Sequence, residues 1–168
     1  EKQAALPDDI EWHAIGHLQT NKVKYISAFV SLIHSVDSLK LLAEINKQAL
    51  RNERIIDCLL QIKIAAEDSK FGLSLADAKA LISSERFAQL NNIRIVGVMG
   101  MATFTDEENQ VRGEFRHLKS CFDQLKTEHF SDQTTFTEIS MGMSGDYRIA
   151  QEEGSTMVRI GSLLFGAR

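Results

Sequence analysis

The sequence has 168 residues, of which 43% are hydrophobic and 25% charged, with a formal net charge of −4. This suits one soluble globular domain with enough apolar material for a sizeable core. The acidic balance excludes a general nucleic-acid footprint, since Lys22 and Lys24 are the only compact basic cluster, and no apolar run approaches the ~20 residues that span a bilayer.

The opening residues, Glu1 to Ala5, read neither as a signal peptide nor as a natural start, so the expectation is a chain that has lost something upstream. Six apolar runs follow: Ile10 to Leu18, Leu32 to Val36, Ile55 to Ile64, Ile93 to Met101, Phe136 to Met141 and Met157 to Phe165. They are near-continuously apolar, as buried parallel strands are. Between them lie amphipathic stretches. Ser38 to Arg51 puts Leu39, Leu42, Ala43, Ile45 and Leu50 near one face. Leu75 to Phe87 follows Ser74, which with Asp77 resembles a capping box. Asp106 to Phe130 opens on acidic residues that complement a helix dipole, and its Val111, Phe115, Leu118, Phe122 and Leu125 form a helical stripe. Shorter helices are predicted at Lys22 to Phe29 and Tyr147 to Glu152. Strand and helix therefore alternate throughout, which argues for a parallel sheet covered by helices. Six strands satisfy a doubly wound sheet, whereas a TIM barrel needs eight, and periodicity does not decide between them.

Cys58 and Cys121 lie far apart without metal-ligand spacing. They read as reduced, buried thiols, which fits a cytoplasmic protein.

Polar and small residues gather at the carboxyl ends of the runs, where α/β folds bind ligands. Six converging loops suit a barrel mouth better than a single crevice. Gly142, Ser144 and Gly145 form a small-residue turn before the helix at Tyr147, and Gly161 and Ser162 offer a second such turn. Backbone N–H groups in turns of this kind bind anions. Glycines after strands are also ordinary turn residues, so the local pattern leaves both readings open. A hydrolase elbow at Ser144 is not predicted, because Asp146 stands where its second glycine belongs.

The motifs then become specific. Trp12-His13-Ala14-Ile15-Gly16-His17-Leu18-Gln19-Thr20-Asn21-Lys22, Ser69-Lys70-Phe71-Gly72, Glu138-Ile139-Ser140-Met141-Gly142-Met143-Ser144, Gly154 to Gly161 and Phe165-Gly166 resemble, in order, the signature segments of the pyridoxal phosphate homeostasis proteins. The resemblance implies an α/β fold, a TIM-like (β/α) barrel of the alanine racemase N-terminal type, with about six of eight strands in this chain. It implies pyridoxal 5'-phosphate as cofactor, with phosphate or sulfate fitting the same site. Ser144 with the Gly142–Met143 backbone would hold the phosphate, with Gly161 and Ser162 on its other side, and Arg159 would face the pyridine nitrogen. In the racemase barrel, too, a serine lies fifteen positions before the arginine, as Ser144 does before Arg159.

The family's lysine-bearing VSK-type strand and the following FGEN-ending strand have no counterpart in this sequence. Residues 1–168 are therefore expected to form one partial barrel domain without the lysine that holds the cofactor covalently. The implied function is intracellular vitamin B6 homeostasis without established catalytic turnover, its partner being a small-molecule cofactor, with no nucleic acid and no membrane. The alternatives are a racemase-like enzyme using the same cofactor and a barrel enzyme for sugar phosphates.

Some single residues invite other roles. Lys70 stands beside Glu67 and Asp68 and reads as a solvated rim residue. His17 and His34 read as rim or core histidines, since no metal-binding motif contains them. The methionines near strands read mostly as core filler. Arg159, inside an apolar strand, calls for a ligand or a carboxylate, because a buried charge is costly unpaired.

Overall fold

The computed structural model describes residues 2–66 and 71–166. Lys70 therefore lies outside the described residues. Among the described residues six strands occur: β1 (Trp12–Ala14), β2 (Val30–Val36), β3 (Ile56–Gln61), β4 (Ile93–Met99), β5 (Glu138–Met143) and β6 (Met157–Arg159). The helices are α1 (Lys2–Ala5), α2 (Leu39–Arg51), α3 (Leu75–Ile82), α4 (Glu85–Ala88), α5 (Glu108–His129), α6 (Tyr147–Glu152) and α7 (Ser162–Phe165), with a 3-10 helix at Thr20–Tyr25.

All five strand pairings are parallel, and the order in the sheet is β1-β2-β3-β4-β5-β6. This order settles the choice that periodicity left open. A doubly wound sheet reverses its strand order at a switch point, and here each strand lies beside its chain neighbour, as in a barrel. The architecture is that of a TIM-like barrel, with six strands among the described residues.

The core divides accordingly. A large cluster, including Ile33, Leu42, Ile45, Cys58, Leu60, Val98, Phe115, Leu118 and Ile139, packs the helices on the outer face of the sheet. A small cluster of Leu32, Leu59, Val96 and Met99, with Met157 against it, fills the inner face. Cys58 and Cys121 are both free and buried.

β4 belongs to both clusters by way of a slip in its alternation. Ile93, Ile95 and Val98 pack outward, while Val96 and Met99 pack inward. The pairing register jumps from Cys58↔Ile95 to Leu59↔Gly97, so one extra residue enters β4 as a bulge. Gly97 is required there: a Cβ would lie 1.8 Å from the Glu138 carbonyl oxygen.

Several boundaries differ from the sequence reading. The first run gives only Trp12–Ala14 as strand, and beyond it the Gly16 carbonyl accepts the Ser35 hydroxyl at 2.7 Å. The helix predicted from Lys22 to Phe29 is the 3-10 turn at Thr20–Tyr25. The segment predicted as one helix from Leu75 to Phe87 divides, because Ser84 donates to the Leu81 carbonyl and accepts the Phe87 amide, a local alternative to continued helix. The sixth run stops being strand at Arg159. Its end is helical because the Leu164 and Phe165 amides both turn back to the Gly161 carbonyl. At α3, Ser74 accepts the Asp77 amide at 3.1 Å, but its hydroxyl donates to the Asp77 carboxylate instead of the carboxylate reaching the Ser74 amide.

Candidate functional site

Arg159 reaches the inner face from the end of β6, and it is 8% exposed. Its Nη1 donates to Ser140 Oγ of β5 at 2.8 Å, and its Nη2 donates to the Gly100 carbonyl, just past β4, at 3.0 Å. Its Nε is buried and has no hydrogen-bond partner. Burial pulls the guanidinium down to about 10, against the opposing field of Asp146, which leaves it charged at neutral pH. The carboxylate that the sequence reading called for as one option does not pair with it. Two neutral acceptors hold the guanidinium through Nη1 and Nη2, and one donor nitrogen, Nε, has no partner, which is costly unless a ligand takes it.

The polar layer continues from Ser140. His34 Nδ1 lies 2.9 Å from Ser140 Oγ, and His34 Nε2 lies 3.2 Å from Nδ1 of the exposed His13. His34 is buried, and its burial, together with His13 and Arg159, holds it down at about 3 from its ordinary 6.5. It is thus a core histidine. His17 is a rim histidine, stacked on Phe71 with ring centroids 4.1 Å apart and 3.6 Å from Asp37.

The two small-residue loops meet. Ser144 Oγ accepts the Gly161 amide at 3.2 Å and stands 3.5 Å from the Leu163 amide. The loop after β5 is therefore stitched to the start of α7, and Ser162 lies exposed between the two donors. Gly142 has φ +93, and a Cβ on it would stand 2.6 Å from the Ala150 Cβ. Its first duty is to let α6 close on β5. The Met143 amide donates to Asp146 Oδ1 at 2.6 Å, so it is already engaged. α6 is held from behind by Glu153, which takes Arg112 at 2.7 Å and Arg116 at 2.8 Å.

Beside these loops a cavity of about 210 Å³ is lined by Gln61, Ile64, Phe71, Met101, Phe104 and Met143. One wall is held by a carboxylate that the sequence reading passed over. Glu114 of α5 accepts the Thr103 amide and the Thr103 hydroxyl, each at 2.7 Å, and the Ala66 amide at 3.1 Å. It ties the loops after β3 and β4 together. Burial by itself would raise its pKa, but the hydrogen bonds from Thr103, Gln110 and Ala66 outweigh that and hold it below the usual carboxylate range.

The structure joins Ser144 to Gly161 by a hydrogen bond and sets Arg159 beside Met143 in the β5–β6 register, while the side-chain contacts of Arg159 go to Ser140 and Gly100. Reasoning from sequence missed Ser140, His13 and Glu114 as parts of the arrangement, and it gave His34 no partner. The available signal was polarity: a buried serine or histidine within an apolar strand must find a hydrogen bond.

Comparison with known proteins gives the family and the fold. Residues 3–168 match the model of the alanine racemase N-terminal domain. The chain is 41% identical to the pyridoxal phosphate homeostasis protein of Aquifex aeolicus, covering 100% of this chain and 72% of that protein. PipY of Synechococcus elongatus, solved with pyridoxal phosphate bound, is 32% identical with a TM-score of 0.85, over 98% of this chain and 74% of its own. A protein from Bifidobacterium adolescentis is 33% identical with a TM-score of 0.83; the chain covers 61% of it, somewhat less than two thirds of its length. The chain belongs to the pyridoxal phosphate homeostasis protein family, built on the alanine racemase N-terminal fold.

Proposed function

We infer that this chain binds pyridoxal 5'-phosphate without a covalent bond and serves intracellular vitamin B6 homeostasis, with no turnover of its own. The observation that carries the reading is the buried, unpartnered Nε of Arg159, two residues from a loop that presents amide donors to Ser144. The names of the relatives and the cofactor bound to PipY support it.

Ser144, Gly161 and Ser162 receive the phosphate. In the free protein the Ser144 hydroxyl oxygen occupies the acceptor position toward the Gly161 amide, so an arriving anion finds donors already oriented. Gly142 fixes the loop and Met143 offers its side chain, since its amide serves Asp146. On the ring side Arg159 only donates. It therefore favours an unprotonated pyridine nitrogen, and such a ring is a weak electron sink. When bound, the cofactor brings an aldehyde and an aromatic ring; the residues here bind and orient it.

The test is a titration of the chain with pyridoxal 5'-phosphate followed by absorbance. Ser144→Ala and Arg159→Leu should each weaken binding by about tenfold or more, as expected for a lost charge-assisted contact. Inorganic phosphate should compete in wild type and in Arg159→Leu. Absence of saturable binding in wild type would end the reading. Phosphate binding as tight as that of the cofactor would favour a sugar-phosphate barrel.

A further inference from the structure

We propose that His34 is a positioning residue for Arg159, acting through Ser140, and that it fixes which guanidinium N–H remains for the ligand. The inference rests on the cofactor reading for its purpose, but its geometry stands in the protein alone.

Arginine carries donors only, so Ser140 Oγ must accept from Arg159 Nη1. The Ser140 hydrogen then needs an acceptor, and His34 Nδ1 is the one at 2.9 Å. His34 therefore carries its proton on Nε2, which faces His13 Nδ1 at 3.2 Å. His13 in turn places its own hydrogen on Nε2, toward the exposed side. Every bond in the chain runs the same way, from Arg159 outward, and its sense is set by the one group that cannot accept.

This polarity matters because a serine hydroxyl rotates. With an acceptor at His34, the Ser140 hydrogen is turned away from Arg159 and both lone-pair directions stay open toward the guanidinium. With no acceptor there, the hydroxyl has a buried hydrogen to satisfy and no fixed orientation. Nη2 would keep its bond to the Gly100 carbonyl, and the guanidinium could pivot about it, taking Nε with it. A protonated His34 would do similar harm: Ser140 would face two donors, and two cations would stand on either side of one oxygen. Burial beside His13 and Arg159 keeps His34 neutral, so the arrangement persists across ordinary pH.

The experiment uses the full chain with His34→Leu and His34→Gln. Glutamine can accept through Oε1 and donate through Nε2, so it should rescue; leucine cannot. Without ligand, heteronuclear NMR should show wild-type His34 with an unprotonated Nδ1 and a protonated Nε2. Hydrogen exchange at Arg159 Nη1, the nitrogen held by Ser140, should quicken by about tenfold in His34→Leu, the scale of one lost hydrogen bond, and return near wild type in His34→Gln. With pyridoxal 5'-phosphate, affinity should fall and recover in the same order, while affinity for inorganic phosphate stays constant. Where His34→Leu does not fold, Ser140→Ala breaks the same chain and is read at the same Arg159 nitrogen. A proton on His34 Nδ1, or Arg159 exchange unmoved in these variants, would overturn the proposal. Wild type that fails to bind pyridoxal 5'-phosphate would refute the cofactor reading instead, and the ligand-free spectra would still decide this one.

Discussion

Glu114 accepts both the amide and the hydroxyl of Thr103, each at 2.7 Å, from a helix that begins six residues before it. The Ala66 amide completes the set at 3.1 Å. Glu114→Ala leaves these donors without their charged acceptor and should cost about 1–3 kcal/mol. The measurements are thermal unfolding and amide exchange: protection should drop at Ala66 and Thr103 and stay unchanged in β2 and β3. Because the folded pKa is depressed, this contribution is present above the ordinary carboxylate value and lost as pH falls through the folded one.

His34 gives a second acid-sensitive element. Its folded pKa is lowered from 6.5 to about 3, so between those values the unfolded chain binds the extra proton. Stability from this group is fully present above 6.5 and is lost progressively down to about 3. Denaturant unfolding measured from pH 7 downward should show this slope, and His34→Gln should flatten it. An identical slope in that variant would place the loss elsewhere.

Glycine substitutions should separate cleanly. Gly97→Ala puts a Cβ 1.8 Å from the Glu138 carbonyl oxygen, so β4 and β5 must part. Destabilisation of about 3 kcal/mol or more is expected, a size reserved for strain of this kind. Gly113, inside α5, has nothing within 4 Å of its would-be Cβ; Gly113→Ala should stabilise by roughly 0.5–1 kcal/mol through helix propensity. Paired urea titrations check both.

A covalent test addresses the mode of binding. Reduction with borohydride in the presence of pyridoxal 5'-phosphate should give scattered, substoichiometric labelling of this chain, because most of its lysines fall on helices and none lies in the loops around Ser144 and Gly161. One stoichiometric adduct at Lys63, abolished by Ser144→Ala, would show binding through that lysine and replace the noncovalent reading.

Much of this was legible in the sequence, and the rest was not for identifiable reasons. The strands announced themselves because both faces of the sheet are covered, which makes Ile-, Val- and Leu-rich runs unavoidable. The loops after β5 and β6 were paired through the family resemblance, since their small residues alone also fit ordinary turns. What the strand runs concealed was the phase within them. Ser140 and Arg159 look isolated in apolar segments, and only the inward register of β5 against β6 brings them together. Glu114 was hidden in another way. It sits in the apolar stripe of α5, between Val111 and Phe115, and its partners come from loops with no periodicity. A single acid on a buried helix face was the available clue. The Leu163-Leu164-Phe165 segment misled in the opposite direction: its apolar composition mimics strand, yet all three side chains are exposed on a one-turn helix.

The extra residue in β4 has a consequence at the far end of that strand. Before Gly97 the inward positions are even-numbered, and after it the inward residue is Met99. The Gly100 backbone inherits that offset. The position where its Cβ would be is crowded by Ile64 and Leu118 on the helical side, while its carbonyl meets Arg159. Deleting one residue around Gly97 would restore a regular strand and half-rotate everything after it, swapping the core for the guanidinium's acceptor. The bulge works as a vernier, so that a strand cut to fit its neighbours at one end presents the right atom at the other.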